Sequence, residues 1–440
     1  MRGDDTDLVV RLVAAAKDDL AASTADLSVA GSRTLFDALV CMAAGCDPNT
    51  RLVPAQEAGP VPMIGLDRHV GLIGGIAANA AAAHLRDLDD LHWPSVTHPG
   101  SVVWPALLAV GAAHRTSIES LYGAAALGYQ VCTRAAALLG AKHRSRYHTS
   151  TTAGTLGVAV AVAAALDEHT DATVTAVLHA ASTLGGTGQA LRERSRTAVA
   201  HRVLAATAGT SAALQAGLAP AVTAPFTGAN GLCAATGTSL DTATLEARQP
   251  AAIDGMTVRR HPVTGFAHCL VDAILDLGEL PVDATTAIEA QVPAFMVAFT
   301  EPDRPVDQHT ASWSLAHAAA LAVAGRLPAG ALAWPGDPMV AAIRERVVID
   351  TREATPPDLA VAGTVRITDG DDHPFAREVP YGHADAPFTD DELVAKAVRF
   401  GVATETDAAA LLDQLRTMTT TTLTSAGLAV LHRPVDVEAA

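Results

Sequence analysis

A mainly α-helical protein, with a large helical part formed from both ends of the chain and a smaller α+β part inserted between them, is what this sequence predicts. Almost all of the first 250 residues divides into helix-length apolar blocks, punctuated by Gly, Pro, Asn, Asp and Thr. The apolar mass is mostly Ala, Leu and Val, with aromatics at only 4%, which suits closely packed helices rather than a β-sandwich. After about Met256 prolines become frequent and short β-leaning runs appear, before helical patterning returns near the C-terminus. A chain of 440 residues is also long enough for two domains.

Taken in order, Leu8–Ala22, Ser32–Ala44, Val70–Leu85, Val102–Ala113, Ser117–Leu139, Thr152–Leu166, Asp171–Leu184, Val199–Gln215 and Ser239–Ala247 read as helices. Several are apolar nearly all round, so they belong inside a bundle, and their Ala and Gly faces permit close approach. No fixed repeat of 30–45 residues is present, which argues against a solenoid. In the middle region Ala290–Phe299, Arg346–Asp350, Gly363–Ile367 and Ala376–Val379 lean to strand. Phe266–Leu277, Trp313–Gly325 and Pro338–Arg344 are helical. Thr389–Arg399, Glu405–Met418 and Thr422–Leu431 then complete the helical part. The expected domains are therefore residues 1–256 with 391–440, and an inserted 257–390.

Hydrophobic residues at 49% and charged ones at 18% provide for a sizeable core and exclude a largely disordered chain. With 30 Lys and Arg against 47 Asp and Glu the net charge is −17, so no nucleic-acid partner is expected. A small anion remains possible wherever cations gather locally. The five cysteines are scattered and lack a CxxC pair, which argues against a disulfide framework and a structural zinc site. The opening MRGDDTDLVVRL has no secretory apolar core, and the longer Ala-rich stretches are interrupted by His, Arg or Gly. A reduced, cytoplasmic protein without membrane contact is the expectation. GLIGGIAAN lacks the strand–turn–helix setting of a dinucleotide fingerprint, and neither GxxxxGK[ST] nor GxSxG occurs.

Four polar clusters could carry chemistry. NAAAAHLRDLDDLHWPSVTHPG holds Asn79, His84, Asp87, Asp89, Asp90, His92 and His98. Three acids just past a helix oppose its dipole, so they need a reason. Either this is a solvated acidic loop, or one carboxylate orients an imidazole for proton transfer. No ligand spacing on one helix face supports a metal there. LLGAKHRSRYHTSTTAGTLGVAVA brings Lys142, His143, Arg144 and Arg146 up to His148 and a helix start, an arrangement that favours an anion. LRERSRTAVAHR carries Arg192, Arg194, Arg196, His201 and Arg202, a run that for most of these residues reads as a solvated helix face. VRRHPVTGFAHCLVDAI places Arg259, Arg260, His261 and His268 where the texture changes, and a cationic pair there could clamp a carboxylate.

These clusters, in this order, resemble the MmgE/PrpD family, which includes 2-methylcitrate dehydratase and cis-aconitate decarboxylase. NAAAAHLRDLDD followed by HPG is similar to the family's N-G-x-x-x-H-x-x-D-x-D-D…HP pattern. YHTSTTAGTLGVAVAVAAAL is similar to F-H-x-T-x-T-x-G-x-x-G-A-A, and RRHPVTGFAHCLVDA to K-x-Y-P-x-x-x-x-x-H-x-x-x-D-A. YGHADAPFTDDELVAKAVRF looks like P-x-x-P-x-S-x-x-E-L-x-x-K-F. The resemblance spans nearly the whole chain. It implies an all-helical domain with an inserted α+β lid, a homodimer, and no cofactor or metal.

Carried over by position, the family's catalytic Asp falls on Asp87 and its histidines on His98, His148 and His268. The loop from Asp87 to His98 is one residue longer than in cis-aconitate decarboxylases. Two family lysines fall on Arg196 and Arg259, and a family tyrosine falls on His317. Arg keeps the positive charge as a planar fork suited to carboxylates but is a poor proton donor. The histidine replaces a phenol with a group that can titrate near neutrality.

The resemblance thus implies a cofactor-independent lyase acting on a small di- or tricarboxylate. His98 or His148 would be the acid or base, Asp87 would orient an imidazole, His317 would stand in the family tyrosine's place, and Arg196, Arg259 and His268 would bind substrate. Dehydration comes first, with decarboxylation or epimerisation as the runner-up. A non-catalytic helical scaffold of the same fold is the reading from another class.

Overall fold

The computed structural model describes residues 4–24, 26–53, 57–300, 305, 307–327, 337–367, 370 and 372–417. Helix accounts for 54% and strand for 9%, so the protein is mainly α. The chain opens with α1 (Thr6–Ala22) and α2 (Leu27–Gly45), the latter capped by the Asp26 carboxylate, which accepts from Ser28 and Val29 N–H. A short antiparallel hairpin, β1 (Val61–Pro62) and β2 (His69–Val70), precedes α3 (Leu72–Leu85). Then follow α4 (Gly100–His114), α5 (Ile118–Arg144), α6 (Thr149–Ala165), α7 (Thr170–Ala181), α8 (Gln189–Arg192), α9 (Thr197–Gln215) and α10 (Leu232–Thr236). The middle region holds α11 (His268–Leu275), β3 (Ala287–Pro293), α12 (Ala294–Thr300), α13 (Gln308–Ser312), α14 (Leu315–Val323) and α15 (Pro338–Arg344). It continues with β4 (Val347–Arg352), β5 (Val361–Arg366) and β6 (Asp372–Arg377), before α16 (Asp390–Arg399) and α17 (Glu405–Thr417).

The chain divides into two compact units: Met1–Leu85, Asp89–Met256 and Asp390–Ala440 make the first, and Arg86–Leu88 with Thr257–Thr389 the second. In the first, α6 is buried along nearly its whole length and packs on α4, α5, α7 and α9. Small residues make this possible. A Cβ on Gly157 would stand 2.6 Å from the Gly128 carbonyl oxygen of α5, and one on Gly209 of α9 would stand 2.6 Å from that of Thr155. A buried ion pair, Lys396 Nζ to Asp37 Oδ1 at 2.5 Å, ties α16 to α2. Among the described residues α2 alone is long and apolar enough to cross a membrane, and 78% of its apolar window is buried inside the protein.

The second unit is built on a four-stranded sheet of order β4-β3-β5-β6. β3 pairs parallel with β4 and antiparallel with β5, which in turn pairs antiparallel with β6. Ile288, Ala290 and Val292 alternate inward along β3, as a half-buried strand requires. α11 packs on β5 and β6, and α14 on β4 and on α11.

Three local expectations are corrected. The strand expected over Ala290–Phe299 ends at Pro293, whose missing N–H closes the ladder, and α12 takes the apolar AFMVAFT that follows. Ser239–Ala247 contains only a 3₁₀ turn, Thr242–Leu245. The last strand sits earlier than Ala376–Val379, over Asp372–Arg377. The helix expected over Thr422–Leu431 lies outside the described residues.

Candidate active site

The three acids after α3 have three separate uses. Asp89, 2% exposed, accepts from His84 Nδ1 at 2.9 Å through Oδ1. Its Oδ2 lies 3.6 Å from His98 Nδ1 and 3.8 Å from Arg202 Nε. Asp90 turns its carboxylate to the Gly100 N–H at 2.9 Å, where α4 starts, so it serves the favourable end of the next helix. Its backbone carbonyl accepts from His98 Nδ1 at 2.7 Å. Asp87, with φ at 52°, belongs to the second unit, where it meets Arg259 Nη1 at 3.8 Å and the Ser312 hydroxyl at 3.3 Å. Within the first unit, then, Asp89 is a carboxylate that meets imidazoles. Its two oxygens reach three positively charged or protonatable groups, whereas Asp87 faces a guanidinium and a hydroxyl.

Between Asp90 and His98 the loop is pinched by a bridge from His92 to Thr97, with Val96 at φ 51°. Asn79 plays a structural part, since it accepts from Ile64 N–H and donates to the Pro62 carbonyl, bracing the hairpin against α3.

His148 is the residue before α6, and this helix begins at Thr149, three residues ahead of the expected Thr152. Its Nε2 lies 3.1 Å from Arg202 Nη1, and its Nδ1 lies 3.0 Å from His201 Nδ1. The ring of His84 is 5.8 Å from that of His98. One group in the first unit thus contains the buried His84, Asp89, His148, His201 and Arg202 together with the half-buried His98. Burial drives the His148 imidazole well below its ordinary pKa, helped by the charges of Arg202, His201, His84 and His98. His201 is lowered by burial and then by Arg202 and His84. Asp90 moves the other way, to about 7, because it is buried beside Asp37 and Asp89 while Tyr129 and the Gly100 N–H oppose the shift.

His201 and Arg202 correct the reading of their run as a solvated face. α9 buries Ala198, His201, Arg202, Ala205, Ala206 and Gly209, an i, i+3, i+4 stripe that includes both polar residues. That stripe was the signal available in the sequence. Arg196, expected to bind substrate, stands exposed at the residue before α9 and is not among the groups that meet in this cluster.

The second unit has its own constellation. Asp272 takes His261 Nε2 at 2.9 Å on Oδ1 and the Tyr381 N–H at 2.8 Å on Oδ2, with Arg260 Nη1 at 3.8 Å. Burial works to raise the Asp272 carboxyl, but His261, His268 and the Tyr381 N–H hold it below its usual value. His268 Nε2 lies 3.1 Å from the His261 carbonyl, so it donates there and its Nδ1 bears the lone pair. Burial, then His261 and Arg259, lower His268 to about 3. His317 is fully enclosed in the first turn of α14, where the Ser314 hydroxyl accepts its backbone N–H; burial and then Arg344 bring it to about 4. The expected Asp87, Arg259, His268 and His317 lie in this unit, and His98, His148 and Arg196 in the other.

None of the curated proteins matches this chain. Two family models do, the MmgE/PrpD N-terminal domain over residues 19–242 and the MmgE/PrpD C-terminal domain over residues 261–414. His84 to Arg202 fall within the first match and His261 to Tyr381 within the second, so both constellations, Arg260 excepted, sit on matched sequence. With both halves matched over most of its length, the chain belongs to the MmgE/PrpD family.

Proposed function

We propose that this protein is a lyase, needing no cofactor, that eliminates water from a small di- or tricarboxylate. Family membership supports a lyase- or dehydratase-type role. The observation that carries the finer reading is the buried meeting of four imidazoles with Asp89 and Arg202. His98 is the general base. A carbonyl only accepts, so the His98 Nδ1 must carry its proton toward Asp90, and in the neutral ring Nε2 bears the lone pair. That nitrogen takes a proton from the carbon next to a carboxylate. The C–H electron pair becomes the new double bond as the C–O bond breaks; the departing hydroxide takes a proton from solvent to leave as water, and the proton on His98 returns to solvent. A positioned base contributes roughly 10²–10⁴-fold to such a step.

Arg259 and Arg196 hold substrate carboxylates, which the planar guanidinium fork matches in shape and charge. His268 binds a substrate hydroxyl through its Nδ1. His317, neutral at physiological pH, replaces the family phenol with an imidazole. The protein works as a homodimer in the cytoplasm, a reading supported by the family resemblance and by five unbridged thiols.

The test is incubation with 2-methylcitrate, citrate and cis-aconitate in D2O. Loss of a hydroxy acid with formation of an alkene is the expected result, and CO2 release from cis-aconitate would reassign the reaction to decarboxylation. If none is consumed and no deuterium enters, the carboxylate-lyase reading of this site is wrong for these substrates and the scaffold reading gains ground.

A further inference from the structure

We propose that His201 is a further catalytic residue, a neutral imidazole whose Nε2–H donates to the substrate oxygen on which negative charge develops, while His148 behind it is a positioning residue. This rests on the carboxylate-lyase reading of the same cluster.

The assignment follows from one arginine. A guanidinium has donors and no acceptor, so Arg202 Nη1 at 3.1 Å obliges His148 Nε2 to accept. The single proton of neutral His148 then sits on Nδ1. That nitrogen faces His201 Nδ1 at 3.0 Å, so His148 donates and His201 accepts. His201 is left with its proton on Nε2. Charging either ring would place a second N–H in a line that has no lone pair to receive it. Both nitrogens of His148 are thus engaged within the protein, and neither is available to take a proton from substrate.

His201 Nε2 has no partner among the described residues, and the residue keeps 7% of its surface exposed. A fixed N–H aimed at a carboxylate or enolate oxygen stabilises the charge that forms there without needing to ionise. His98 and His201 then divide the work: one presents a lone pair, the other an N–H.

The experiment is long-range proton–nitrogen NMR on the full chain labelled with 15N-histidine, with citrate as the probe, followed by kinetics of His201 variants on whichever carboxylate is consumed. His148 should be protonated on Nδ1 and His201 on Nε2, and citrate should shift the His201 Nε2 signal. Arg202→Met should move the His148 proton toward Nε2. A His148 protonated on Nε2 in the unaltered protein overturns the proposal, as does citrate that shifts His98 but leaves His201 unmoved. His201→Leu should lower kcat about 10²–10³-fold, the usual cost of removing one such donor, and His201→Gln should restore most of it. A folded His201→Leu with unchanged kcat also overturns the proposal. If the tautomers and the citrate shift are as stated but no carboxylate is turned over, the donor assignment stands and the lyase reading alone falls.

Discussion

The two units each bury a carboxylate among histidines and an arginine, yet the carboxylates are used differently. In the second unit both Asp272 oxygens are taken at short range, one by His261 and the other by the Tyr381 N–H. His268 adds a bond from its own ring to the His261 carbonyl. Such an arrangement behaves as a brace that fixes chain segments. In the first unit Asp89 serves His84, His98 and Arg202 at distances from 2.9 to 3.8 Å, and the His98 ring is aimed by a backbone carbonyl instead. The same residue types thus make a clamp in one place and, in the proposed function, an acid–base group in the other. What separates them is how the carboxylate is committed: two short bonds hold Asp272, whereas Asp89 spreads its charge over two imidazoles and a guanidinium, with one short bond and two longer approaches.

The largest effect should come from setting one substitution in each group side by side. His98→Ala should lower turnover roughly 10²–10⁴-fold with a melting temperature close to the unaltered protein's. Asp272→Ala removes the acceptor of the His261 ring and of the Tyr381 N–H and should cost about 1–3 kcal/mol for each donor left buried, read by urea unfolding, with turnover per folded molecule much less affected. The reverse pattern would erase the distinction between clamp and acid–base group.

A smaller effect sharpens the contrast through pH. Asp90 has a folded pKa of about 7 against an ordinary 3.8. The folded state therefore holds a proton that the unfolded chain has already released, so this residue's contribution to stability falls as pH rises from about 4 to about 7. Asp90→Asn keeps an oxygen for the Gly100 N–H and removes that penalty. Its stability advantage should widen by about 3 kcal/mol between pH 5 and pH 8, because about two pKa units lie in that interval. An advantage independent of pH would mean that Asp90 is already ionised at pH 5. The smallest effect is expected at exposed Arg196, where Arg196→Gln should change stability by less than about 0.5 kcal/mol and raise KM with little change in kcat.

Much of this was legible in the sequence because period and punctuation agree. Pro338–Arg344 has the observed bounds, and the apolar run that became α6 was placed within a few residues. Pairwise geometry was less legible. His201 and Arg202 look like surface charge when counted with Arg192, Arg194 and Arg196, but they lie on the buried stripe of α9 once its start is known. Which of three closely spaced carboxylates meets His84 and His98 turns on local backbone geometry, where Asp87 has φ 52°, and no composition argument predicts that. The hairpin β1–β2 has only two residues per strand, too few for alternation to register.

The pinched loop before His98 has a consequence for how such a protein could diverge. The His92–Thr97 bridge closes off four residues whose number matters little to the anchors on either side, Asp90 and His98. Length can therefore be gained or lost beside the exposed Pro94, while buried Ser95, bonded to His92 and Thr97, keeps the pinch closed and the imidazole keeps its aim. The bridge thus works as a fence: whatever is altered on its outer side is kept from reaching the ring it encloses.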